Sequence, residues 1–300
     1  MGHLADNPVG AERNDGDQSN LACRLCGGQE SCHLFSKTIL GLYEVGYFEC
    51  KSCGSLQTQF PYWLDEAYSI PGVHLDVGIA SRSVKNWFGL SALLNEIDFP
   101  KDSLAIDFGT SRGLFARLMR DAGYSFFGYD KFSIPEFVNY FCLDSLEGSR
   151  PALITAFEVF EHFAEPAKSL KQLFETGASM IVFSTWFYKG HDKDWIYIAA
   201  ECGQHVFFYT ESALRNFAAE HGYELKLTAF FFLLLRPGSL EAHQLAGIDR
   251  FAANSEEMVR GTLVSQFENV KFGNDFMNRD LETARAHFDK ALEDLARNRR

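Results

Sequence analysis

Leu104-Ala105-Ile106-Asp107-Phe108-Gly109-Thr110-Ser111-Arg112-Gly113-Leu114-Phe115 passes from an apolar strand through a glycine-punctuated turn into a helix. Gly109 and Gly113 lack a β-carbon and reach dihedrals closed to other residues. Thr110 or Ser111 is placed to cap the first helical turn, and Leu114, Phe115, Leu118 and Met119 share a face until Gly123 ends the helix. A dinucleotide site asks for three glycines spaced G-x-G-x-x-G with a diphosphate over the helix N-terminus. This stretch does not supply them and sets Asp107 just before the turn instead. A carboxylate there repels a diphosphate and favours a ligand with a positive centre. Further along, Asp130 ends a second apolar run, where an acid can accept ribose hydroxyls.

Working outward, apolar runs at Leu104–Phe108, Phe126–Tyr129, Leu153–Phe157 and Met180–Phe183 alternate with amphipathic helices at about 113–122 and 164–176. That alternation predicts an α/β domain, a parallel sheet covered on both faces. A helix near Glu211–His221 precedes two apolar segments, Glu224–Phe230 and Phe231–Leu235, read as the last two strands. Upstream, Val84, Trp87, Phe88, Leu90, Leu93 and Leu94 return to one face of a connector helix that Pro100 stops. Downstream, Leu281–Leu295 has helical spacing ahead of Arg297, Arg299 and Arg300. The expected organisation is a disordered leader over 1–20, a small cysteine-bearing unit over 21–60, a helical connector over 61–100, the α/β domain over 101–238 and a helical extension over 239–300.

With 300 residues, 46% of them hydrophobic, the chain can bury a substantial core, and its net charge of −12 disfavours nucleic acid or an anionic membrane surface as partner. The longest apolar run, Ala229–Leu235, is seven residues, against the roughly 20 of a membrane helix. No basic, apolar signal opens the sequence, so a cytoplasmic location is expected. Seven cysteines, four of them in two Cys-x-x-Cys pairs, then read as ligands or free thiols. Cys23, Cys26, Cys50 and Cys53, each pair followed by glycine, fit a closed four-thiolate Zn²⁺ site that staples a unit too short for its own core. The alternative is reduced, buried cysteines without metal. Cys32 and His33 read as spectators, and Cys142 and Cys202 as small apolar residues.

The glycine turn resembles motif I of class I S-adenosylmethionine-dependent methyltransferases, Asp/Glu-x-Gly-x-Gly-x-Gly, present here as Asp107, Gly109, Ser111 and Gly113 with serine at the middle glycine. The resemblance continues through Phe127-Gly128-Tyr129-Asp130, Leu143-Asp144-Ser145 and Ala156-Phe157-Glu158-Val159-Phe160-Glu161-His162-Phe163, and covers about Ser103 to Arg236. It implies a Rossmann-like domain with a mixed seven-stranded sheet and S-adenosyl-L-methionine as cofactor. It further implies Asp144 beside the adenine, or else a plain loop acid, and Glu158 lining the pocket. Glu161 and His162 are read first as capping or backbone-bonding groups and second as catalytic. The four-cysteine unit joined to such a domain is similar to sugar C-methyltransferases, which add a large C-terminal domain. Their Tyr-x-Glu-His corresponds here to Cys202, Gln204 and His205, of which only His205 matches.

Methyl transfer is an in-line displacement that needs a base only where the acceptor loses a proton. His205, in an aromatic loop, is either that base or a loop-holding histidine. Trp186, Trp195, Tyr197 and Tyr209 belong to the acceptor wall or to the core. The expected function is methyl transfer to a small polar acceptor, such as a sugar or polysaccharide precursor. An RNA or protein methyltransferase and a non-catalytic cofactor-binding scaffold are the alternatives.

Overall fold

The computed structural model describes residues 21–69, 78–269 and 275–297. The expected leader, 1–20, and Arg299 and Arg300 lie outside them.

Four short apolar strands, β4 (Ala105–Phe108), β5 (Phe126–Tyr129), β6 (Leu153–Phe157) and β7 (Met180–Ser184), pair in parallel. Strands such as β6, buried over its first four residues, have no polar face because helices cover both sides. Antiparallel β10 (Phe232–Leu235) joins β7, and β9 (Glu224–Leu227) closes that edge, giving the order β5-β4-β6-β7-β10-β9. The sheet is therefore mixed, as expected.

It has six strands among the described residues, not seven. Beyond β5 the chain makes one bridge, Gly128 to Cys142. The Phe141 amide closes a turn on Val138 just before it, and Ser145 captures the Glu147 amide just after, so the backbone never runs extended long enough to add a strand. The β9–β10 boundary also differs from the sequence reading. Thr228 Oγ1 donates to the Phe231 carbonyl at 2.6 Å and accepts from the Phe230 and Phe231 amides, a side-chain-built turn inside an apolar run.

On one face α4 (Pro166–Glu175) and α5 (Glu211–Glu220) bury Leu170, Leu173, Phe174 and Leu214. On the other, α2 (Ile79–Glu96), α3 (Leu114–Asp121) and α6 (Ala242–Asn269) bury Leu90, Leu93, Phe115, Met119, Ile248 and Phe251. The connector helix thus belongs to the core of the α/β unit.

A second sheet, β1 (Ser31–Ile39), β2 (Tyr43–Cys50) and β3 (Leu56–Thr58), is completed by β8 (Phe207–Phe208), which lies far along the chain after β7. Its core holds Val45, Tyr47, Leu56 and Trp63, and a short helix, α1 (Leu64–Ser69), follows it. Among the described residues no helix is long and apolar enough to cross a membrane.

The last helix, α7 (Asp275–Arg297), is tied to α3 by charge. Buried Asp280 accepts from Nε of buried Arg120 at 2.8 Å and from its Nη2, and Arg117 Nη1 stands 2.8 Å from the same carboxylate. Removing one partner of such a buried pair strands the other charge. Asp280→Ala is expected to lower unfolding stability by about 3–5 kcal/mol in a denaturant titration; a loss within ~0.5 kcal/mol, typical of surface substitutions, would contradict the anchoring role.

Candidate functional site

The C-terminal ends of β4, β5 and β6 open into a cleft of about 1470 Å³, larger than the roughly 300–1,000 Å³ of a typical small-molecule pocket. In open α/β sheets ligands bind at this end of the strands. The turn after β4 forms its floor. Gly109 and Gly113 have φ of 72° and 83°, and a β-carbon on them would come within 2.7 Å of Val159 and 2.4 Å of Val138. Ser111 sits between them at φ 52°, so the middle position keeps the left-handed geometry while carrying a side chain that rarely adopts it.

Three carboxylates on three adjacent strands surround this turn. Asp107 is 5% exposed and accepts from Thr110 Oγ1 at 2.7 Å and Thr155 Oγ1 at 2.8 Å; burial, opposed by these two bonds, pushes its pKa up to about 6. It therefore braces the turn as well as setting its charge. Asp130 accepts the Ser111 amide on Oδ2 and the Phe132 and Ser133 amides on Oδ1, each at 2.8 Å. With about four acceptor positions per carboxylate, one remains for a ligand hydroxyl, where the sequence reading expected room for two. Glu158, at φ 54°, accepts from Ser184 Oγ at 2.6 Å and from the Tyr197 hydroxyl at 3.1 Å, and lines the cleft. Asp144 is exposed and absent from the cleft lining, because the bridge at Cys142 ends the approach of that loop to β5.

Beyond Glu158 the chain makes a single 3₁₀ turn, Phe160–His162. The Val206 amide donates to the Glu161 carbonyl at 2.9 Å, which sets His205 beside His162 with ring centroids 4.9 Å apart. His205 Nδ1–H donates to the Tyr197 carbonyl at 2.6 Å, so its Nε2 carries the lone pair; burial lowers its pKa to about 4. The ring is therefore neutral near pH 7. His162, bonded through Nδ1 to the Tyr68 hydroxyl at 3.2 Å, is held well below its usual pKa by burial and by His205. Glu161 is fully buried, and neither of its side-chain oxygens has a hydrogen-bond partner among the described residues. Burial and then the charge of Glu158 raise its pKa to about 8. The sequence reading put capping or backbone bonding first for Glu161 and His162 and catalysis second; α4 begins without a side-chain cap, so neither residue caps it. Their position directly after a strand end was the signal available.

Aromatic residues wall this end. Trp186 stacks on Tyr197 at 5.1 Å, Tyr68 stacks on Phe132 at 4.3 Å, and all four line the cleft. Trp195 and Tyr209 are buried in the core instead.

Behind the histidines lies the cysteine cluster. Cys23 and Cys53 sulfurs are 3.7 Å apart, Cys26 and Cys50 3.6 Å, and all four lie within 4.8 Å of one another. Zinc bound tetrahedrally at about 2.3 Å to each sulfur would set neighbouring sulfurs about 3.8 Å apart, so the donor set fits that ion. Cys32 and His33 stand outside the cluster. Between the first two cysteines, Arg24 extends into the protein. Its Nη2 donates to the carbonyls of Val206 at 2.7 Å and Thr58 at 3.0 Å, and its Nη1 to that of Ala164 at 3.1 Å. Burial lowers even this guanidinium to a pKa of about 10. Nothing in the spacing of Cys23-Arg24-Leu25-Cys26 announced that contact.

Residues 89–227 match the family model of a methyltransferase domain. The match bears out the expected enzyme class, a methyltransferase. Similar solved structures include the magnesium protoporphyrin IX methyltransferase of Synechocystis PCC 6803 with bound S-adenosylhomocysteine, at 13% identity and TM-score 0.40 over 58% of this chain and 93% of that one. Another is the Burkholderia thailandensis 1,6-didemethyltoxoflavin-N1-methyltransferase, at 11% identity and TM-score 0.43 over 64% and 93%. A third is human N-acetylserotonin methyltransferase, at 18% and 0.41 over 58% and 59%. A search of curated proteins found no match.

Arg24→Met keeps the length of the side chain and removes its donors from three carbonyls. The expected result is a stability loss of about 2–3 kcal/mol in chemical denaturation, since hydrogen bonds to charged groups contribute about 1.5–3 kcal/mol. Turnover should fall more than cofactor affinity, because Val206 adjoins His205 whereas Asp130 makes no contact with Arg24.

Proposed function

We propose that the chain methylates a small-molecule acceptor through a hydroxyl, with the cofactor over the glycine turn and the acceptor at the histidine end of the same cleft. The observation that carries this reading is the ring of Asp107, Asp130 and Glu158 on three adjacent parallel strands around a bare turn, a field that suits a cationic ligand and opposes a diphosphate. S-adenosylmethionine supplies a methyl group on a positively charged sulfur. Asp130 Oδ2 has an acceptor position for a ribose hydroxyl, and Asp107 and Glu158 supply negative charge near the turn. Gly109, Ser111 and Gly113 let the backbone lie close to the ligand.

At the other end Trp186, Tyr197, Phe132 and Tyr68 stack on the acceptor's flat or apolar face and exclude water. That surface suits a sugar ring and an aromatic ring equally. His205 turns an uncharged Nε2 toward the cleft, where it can polarise an acceptor O–H. The ribbon formed by Cys23, Cys26, Cys50 and Cys53 holds one structural zinc, working in a reducing, cytoplasmic setting where the thiols stay available. With four thiolates it offers no open coordination position and takes no part in the transfer.

Two measurements test this. Asp130→Ala should weaken S-adenosylmethionine binding in calorimetry roughly 10- to 100-fold, the equivalent of about 1.5–3 kcal/mol for a charged hydrogen bond; unchanged affinity would remove the ribose assignment. Elemental analysis of the purified chain should find one zinc in the ribbon, retained on passage through a desalting column and released when Cys50→Ser is introduced. A folded, zinc-free wild-type chain would overturn the ribbon.

A further inference from the structure

Glu161, His162 and His205 bring one carboxylate oxygen and two imidazole nitrogens within 4.8 Å of one another. We propose that these three residues bind a second metal ion, a divalent cation of the first transition row, which holds the acceptor's oxygen atoms in the cleft.

Three independent features of the geometry carry this. An ion about 2.1 Å from each donor sets donors on opposite sides about 4.2 Å apart and adjacent ones closer, so movement of under about an ångström gathers the three donors around one centre. The Glu161 carboxylate, 0% exposed, has no hydrogen bond of good geometry to either oxygen among the described residues; the nearby Tyr197 and Thr185 hydroxyls are bonded to each other, and Tyr197 to Glu158 as well. Charged or protonated, a buried carboxyl left without partners is costly, and buried polar groups are normally hydrogen-bonded or bound to metal. Both histidines, finally, are already fixed through Nδ1, His205 to the Tyr197 carbonyl and His162 to the Tyr68 hydroxyl. That is the outer-shell arrangement that orients a metal-binding imidazole and leaves Nε2 for the ion.

The donor set names the ion. Two imidazoles and a carboxylate suit manganese, iron, cobalt, nickel or zinc, whereas four thiolates select zinc. The two sites therefore differ in chemistry as well as place. Three protein ligands also leave coordination positions open, the mark of a working site rather than a structural one. His162 and His205 line the cleft while Glu161 does not, so the open positions face the acceptor end. An acceptor with two adjacent oxygens, such as a vicinal diol or an ortho-dihydroxy ring, fills two of them. The ion lowers the pKa of a bound hydroxyl as it does that of bound water, and the proton passes to solvent at the mouth of the cleft. His205 then works through the ion rather than as a free base. This last step rests on the methyltransferase reading; the metal site does not.

Manganese separates the two sites, because thiolate ligands favour softer ions. The zinc-loaded full-length chain, titrated with Mn²⁺ and followed by loss of the free-ion electron paramagnetic resonance signal, should take up one Mn²⁺ per chain. Glu161→Gln, close to isosteric, and His205→Ala should each weaken uptake by at least the roughly 10- to 100-fold that follows loss of an outer-shell partner. His33→Ala, on the exposed part of β1, should leave it unchanged. Calorimetric binding of S-adenosylhomocysteine to each variant reports whether it is folded, and either of the first two variants alone suffices. No uptake of Mn²⁺, Co²⁺ or additional Zn²⁺ by the folded wild-type chain, or uptake that neither substitution weakens, overturns the proposal. Uptake without methyl transfer to any diol would leave the site standing and remove the acceptor reading. Full methyl transfer by a chain that binds no second ion would do the reverse.

Discussion

The guanidinium of Arg24 is where the two halves of this protein become one structure. It leaves a tight cysteine turn, passes through apolar surroundings and ends on carbonyls from three separate segments: Thr58 in the small sheet, Ala164 just after the 3₁₀ turn, and Val206 just after His205. A charged group is buried only where its donors are met, and here the partners are backbone atoms at the histidine end of the cleft. The geometry of the cysteine cluster is thereby transmitted to the histidines. The cysteine-bearing segment is less an appendage than a support for the α/β unit, and its buried Cys23 and Cys50 share one core with α4 and α5.

The glycine turn shows the same economy at the cofactor end. Asp107 is satisfied by two threonine hydroxyls and Asp130 by three amides, so both acids hold the backbone in the shape that receives a ligand. Preorganisation of this kind means that little has to be ordered when the ligand arrives. Ser111 is the exception. It takes a conformation better suited to glycine, and its amide bond to Asp130 is what holds it there.

Much of the α/β unit was legible because its signals are local: apolar runs for buried strands, a 3.6-residue period for helices, glycines at the turn. The glycine turn, Asp130 and the four cysteines were read by the same means, and the structure gathers each set. What escaped depends on contacts between distant segments. The absent seventh strand turns on where Phe141 and Ser145 close their turns, and the Thr228 turn is made by a hydroxyl inside an apolar stretch. Glu161 and His162 resemble ordinary capping residues until His205, more than forty positions later, is set against them by the bond from Val206. Spacing along a chain carries no information about such a meeting. Asp144 is the opposite case, a motif position whose loop turns to solvent outside the cleft lining.

The pairing of β3 with β8 links Leu56 to Phe208, about 150 residues further on. Contacts so remote in sequence form slowly, because the intervening chain must be closed into a loop first. As the polypeptide emerges from the ribosome, the small sheet must therefore wait, its edge unfinished and its thiols bare, until nearly the whole α/β unit has been made. With the zinc proposed above bound early, the cysteines would be protected from oxidation during that interval.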